Sequence, residues 1–110
     1  MALKTLQVKL EGKSQLHEPI IKLEGIIINI WSINGGLTWE NKDIILNVTN
    51  KLEIFMSCKA ISGTDWELTI KEKGSTNKCY EESGTTGETL ESKNGQKIPN
   101  YSERITSVNC

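Results

Sequence analysis

Apolar and polar residues alternate with a period of two along most of this chain. Leu6, Val8 and Leu10 are interleaved with Gln7, Lys9 and Glu11, the spacing of a strand that buries one face. The pattern returns at Leu37 and Trp39, at Leu52, Ile54, Met56, Cys58 and Ala60, and at Trp66, Leu68 and Ile70. Between Pro19 and Ile33 the polar positions thin out. The segment PIIKLEGIIINIWSI predicts one or two strands buried on both faces, with Gly25 as a bulge or break. Nowhere do apolar residues keep helical spacing for three turns.

Turn signals separate these runs. Asn34-Gly35-Gly36 can adopt positive φ between two apolar residues and predicts a tight hairpin. The polar triplet Asn41-Lys42-Asp43 predicts a reversal into Ile44 to Val48, and Thr49-Asn50-Lys51 another before the strand that begins at Leu52. Ser62-Gly63-Thr64-Asp65 turns into the Trp66 strand, and Gly74 to Asn77 leads to a short strand around Cys79 and Tyr80. From Ser83 to Asn100 the chain is rich in Gly, Ser, Thr, Asn and charge, with only Leu90 and Ile98 as apolar anchors. This reads as a long surface loop, functional, mobile, or hiding a weak hairpin at Asn94-Gly95. Tyr101 to Val108 closes the sheet, with Tyr101, Ile105 and Val108 facing inward. The expected fold is all-β: a single antiparallel β-sandwich or flattened barrel of about seven to eight strands, one domain over residues 1–110.

Composition narrows the functional classes. Hydrophobic residues make up 36% and charged residues 25% of the 110, a globular balance that argues for a packed core. The net charge of -1 is spread along the chain, so nucleic acid and anionic membranes lose their electrostatic attraction. The longest apolar run, Ile26 to Trp31, is far too short for a transmembrane segment. The amino terminus lacks the uninterrupted apolar block of a secretory signal, which points to a cytoplasmic chain or to export without a classical signal peptide. On that footing the sequon Asn47-Val48-Thr49 is a strand residue before a turn, and Cys58, Cys79 and Cys110 are a reduced set. Pairing the strands as consecutive hairpins places Cys58 opposite Leu68 and Cys79 opposite Ile70, beyond disulfide reach. Cys110 could then link two chains under oxidation.

The inventory for chemistry is sparse. One histidine, His17, lies in a polar stretch without an evident partner, which argues against acid-base or nucleophilic catalysis. Three dispersed cysteines and one histidine do not form a metal motif, and no glycine-rich phosphate loop is present. The carboxylates Glu40, Asp43, Asp65 and Glu67 read as the solvated face of strands. No enzyme, metal or cofactor is therefore expected. Three tryptophans stand out beside a single phenylalanine. By parity Trp39 and Trp66 belong to the core, while Trp31 shares its face with Asn29 and is the candidate for exposure. The reading that remains is a non-catalytic module that binds a protein partner or its own copies through a sheet face or the 83–100 loop. The alternative is a small lectin, or a glycan- or lipid-binding defence protein, with Trp31 or Trp39 stacking on a sugar and Asn34, Asn41 or Asp43 supplying hydrogen bonds.

Overall fold

In the computed structural model, residues 2–48, 51–76, 78–87 and 101–109 are described. They form nine strands and no helix: β1 (Ala2–Gly12), β2 (His17–Leu23), β3 (Ile26–Ile27), β4 (Ser32–Asn34), β5 (Thr38–Val48), β6 (Leu52–Lys59), β7 (Asp65–Glu72), β8 (Lys78–Thr85) and β9 (Tyr101–Val108). Two antiparallel sheets, ordered β4-β5-β1-β7-β8 and β3-β2-β6-β9, pack face to face as a β-sandwich. The count exceeds the expected seven or eight because the isoleucine-rich segment breaks into the short strands β3 and β4. With no helix among the described residues, none is long and apolar enough to cross a membrane.

The period-two runs form the core. Leu6, Val8 and Leu10 of β1, Ile54, Met56 and Cys58 of β6, and Trp66, Leu68 and Ile70 of β7 are all buried between the sheets. At about 25 cal/mol per Å² of apolar surface removed from water, these rows are the main source of stability. The chain meanders less than its turn signals suggest. Ser62 to Asp65 does turn the chain, but β6 and β7 belong to different sheets. Cys58 therefore lies opposite Ser102 of β9 and not opposite Leu68. Ile70 pairs with Tyr80, and Cys79 occupies the bulge beside that pair.

Asn41-Lys42-Asp43 is no reversal either. The β5 strand runs through it, with Leu6 opposite Ile44 and Val8 opposite Asn41, so β5 carries one extra residue as a bulge. The Asp43 amide donates to Asn41 Oδ1 at 2.9 Å, which gives the triplet the local bond of a turn inside a continuous strand. The hairpin at Asn34-Gly35-Gly36 forms as expected, joining β4 to β5. Gly36 has φ +74°, a conformation that favours glycine, and a Cβ there would displace the exposed Gln15 side chain.

Three further expectations are corrected. Ser83 to Thr85 belong to β8, paired with β7 from Glu67 back to Asp65, so the loop begins later; residues 88–100, including Asn94-Gly95, lie outside the described residues. In β9 Val108 packs against the core as expected, but Ile105 is 75% exposed and Ser102 fully buried: Ser102, Arg104, Thr106 and Val108 share the parity that faces the other sheet. Cys79 is disulfide-bonded, so the cysteines are not all reduced. Its partner is not Cys58, a buried thiol, and Cys110 is outside the described residues.

Candidate functional site

The segment expected to be buried on both faces instead wraps one side of the sandwich. Leu23 pairs with Ile26 around Glu24-Gly25, whose φ angles of 53° and 76° make a two-residue hairpin of the type with both central φ positive. Gly25 is thus a turn residue. After β3 the chain crosses from the second sheet to the first through residues 28–31, where Ile28 is buried and Trp31 half-buried against the core. The sandwich offers one core, so a segment wrapping its flank buries one side only. Ile26, Ile27, Ile30, Ile33 and Ile45 are left 58%, 51%, 74%, 52% and 61% exposed. Ile26, Ile27, Ile30 and Ile45 share a groove of about 200 Å³.

The apolar surface continues onto the outer face of the second sheet. Ile27, Lys22, Phe55 and Ile105 lie in one cross-strand row, and the Lys22 ammonium sits 5.6 Å above the Phe55 ring. The outer face of the first sheet is different: Lys9–Glu11, Glu40–Lys42 and Lys78–Glu81 pair across it. Such exposed pairs add little stability but keep that face hydrated.

The five residues expected to bind a ligand all lie on or beside this isoleucine flank. Trp31 and Trp39 are half-buried against the core and meet edge to face, with ring centroids 6.3 Å apart and planes at 81°. Trp39 Nε1 donates to the Gly36 carbonyl at 3.1 Å. Asn41 Nδ2 donates to the Ile30 carbonyl at 3.0 Å while its Oδ1 accepts from Asp43. That carboxamide fastens the isoleucine connector to β5. Asp43 is paired with Lys73, and Asn34 is exposed in the hairpin. The structure gathers the tryptophans but directs the polar groups of Trp39 and Asn41 to backbone partners.

The exposed isoleucines were missed by sequence reasoning, although a signal was present: from Gly25 to Trp39 no residue is charged, the longest such stretch in a chain one-quarter charged. Periodicity assigns these residues to a core; absence of charge is what core and interface share.

The opposite side is built from the outermost strands β8 and β9 and is polar. Glu82 lies opposite Leu68 and Arg104 opposite Met56, so both extend from core-facing positions, and both are half-buried. The Arg104 guanidinium sits 5.2 Å over the Trp66 ring. The Tyr80 hydroxyl is buried close to the Glu82 carboxylate. Its pKa is pushed up to about 12, first by burial and then by the Glu82 carboxylate, against the opposing pull of Arg104. At the adjoining end, Thr86 Oγ1 donates to the Ile61 carbonyl at 2.7 Å and accepts from the Thr64 amide at 2.9 Å. Ser102 Oγ donates to the Thr85 carbonyl at 2.9 Å.

His17 is exposed at the start of β2, opposite Lys59, whereas Cys58 has no exposed surface. Among the described residues no three His, Cys, Asp or Glu side chains gather as a metal site. Comparison with protein-family models, curated proteins and solved structures yields no significant match.

Proposed function

We propose that this chain is a non-catalytic binding module that acts through protein-protein contacts, and that its contact surface is the isoleucine flank formed by β3, the 28–31 connector, β4 and Ile45. The observation that carries this reading is the uncharged run from Gly25 to Trp39, in which every isoleucine but the buried Ile28 is half to three-quarters exposed. An apolar patch of this kind costs free energy in water and marks interaction surfaces. Charged pairs on the outer face of the first sheet give that face no comparable reason to dock.

A glycan reading rests on Trp31 alone. Stacking needs neighbouring polar groups to orient the sugar, and here Asn41 and the Trp39 indole N–H bond to the backbone. The protein-binding reading is tested with a photoreactive phenylalanine analogue placed at Ile30 or, as a control, at Lys9. Irradiation in a lysate of the native source is expected to give protein adducts from position 30 and not from position 9. Equal yields, or none, overturn the reading.

A further inference from the structure

Resting on that reading, we propose that the occupant of the isoleucine flank is a second copy of this chain, related by a two-fold axis. Charge provides the first argument. In a two-fold contact every residue meets the same surface on its mate, so any charge near the axis confronts its own kind. The run from Gly25 to Trp39 has none, which makes this flank compatible with itself. On the outer face of the first sheet, which carries lysine and glutamate, an axis would bring like charges together at its centre.

Area provides the second argument. The exposed Ile26, Ile27, Ile30 and Ile33 present apolar surface on the order of 400 Å² per chain, within the range of a functional patch. Two such patches, with the intervening backbone and the half-buried Trp31, bury roughly 1,000 to 1,500 Å², which reaches the size of a specific interface. The edges point the same way. β3 and β4 end their sheets on this side, and no charged side chain within either strand opposes the approach of another strand.

The test uses the purified full chain. Sedimentation velocity from about 5 to about 500 µM is expected to show a concentration-dependent dimer. Ile30→Glu with Ile33→Glu should weaken it at least ~10-fold, the loss expected when two interface anchors become charged. Near-UV circular dichroism checks that the variant keeps its folded tryptophan environment. Ile61→Glu, similarly exposed at 73% but in the β6–β7 turn, should leave the dimer intact. A monomer throughout, or a dimer that survives the double change, overturns the proposal. So does equal dissociation by Ile61→Glu. The crosslinker at position 30 separates the two levels of failure. Adducts only with other proteins remove the second copy and leave the protein-binding reading; no adducts remove both.

Discussion

The two flanks of this sandwich solve the same problem in opposite ways. Each is where both sheets end: β3 and β4 on one flank, β8 and β9 on the other. On the β8–β9 flank the strands are eight residues long, and each carries a charge at a core-facing position, Glu82 and Arg104. Inward-pointing charge is one of the devices by which natural sheets prevent strand addition, because a docking strand would have to desolvate it. On the β3–β4 flank the strands are two and three residues long, and isoleucine replaces charge. Short edges limit runaway pairing while the apolar surface remains available. The contrast lies in what occupies the edges: isoleucines cluster along β3 and β4, whereas Ile61 and Ile105 are exposed singly and the core-facing positions of β8 and β9 carry charge.

The comparison breaks most visibly if the polar flank is made like the apolar one. Replacing Glu82 and Arg104 together by valine leaves neither charge unpaired and presents two long apolar edges. The expected result is association well beyond a dimer, read as a rise in scattered mass with concentration. Each single change should associate less. Unchanged scattering from the double variant would show that strand length, not charge, guards this flank.

Next in size is the anchoring of the polar flank. Thr86 is 3% exposed and binds the Ile61 carbonyl and Thr64 amide, joining the β6–β7 turn to the end of β8. Thr86→Val keeps the shape and removes both of these bonds, leaving the Ile61 carbonyl and the Thr64 amide only the contacts between Thr64 and Ile61 themselves. The cost should be about 2 kcal/mol, seen as a lower denaturant midpoint with an unchanged slope.

Much of this architecture could be read from sequence, and the parts that could not have a common cause. The alternation of β1, β6 and β7 is a local record of which face is buried, so their core residues were legible. Which sheet a strand joins is not local: Ser62-Gly63-Thr64-Asp65 reads the same whether it returns the chain beside β6 or carries it across the core. Asn41-Lys42-Asp43 reads as a turn because its side-chain-to-backbone bond is that of a turn; only pairing with β1 makes it a bulge. In β9 the inward position of Val108 was legible, but Ile105 faces out while Ser102 and Arg104 face in, because an edge strand is not obliged to hide every apolar member. The site shows the same division. The tryptophans and asparagines of the flank were found as residue types, whereas isoleucine exposure depends on the connector wrapping an edge.

A smaller effect belongs to Tyr80. Its folded pKa of about 12 lies above the ordinary value near 10, so the folded state holds the phenolic proton more tightly than the unfolded chain. The resulting stability is fully present below pH 10 and is lost as pH rises to 12, by about 1 to 2 kcal/mol. Tyr80→Phe removes only a buried hydroxyl beside Glu82 and should change stability at pH 7 by about 1 kcal/mol or less. The expected signature is a difference between the two proteins that changes only across that alkaline window. A constant difference would place the tyrosine's contribution in packing.

The smallest effect sharpens the apolar flank. If Ile30 serves association and not the core, Ile30→Glu should change the stability of the monomer by less than about 0.5 kcal/mol, as for an exposed site. Measured at concentrations too low for association, its denaturant midpoint should match that of the unaltered chain. At high concentration the two should separate, because only the unaltered chain gains stability from binding its own copy. A loss of about 2 kcal/mol in the monomer itself would instead place Ile30 among the residues that hold the sandwich together. The flank would then be part of the fold, and the asymmetry between the two sides would have no bearing on binding.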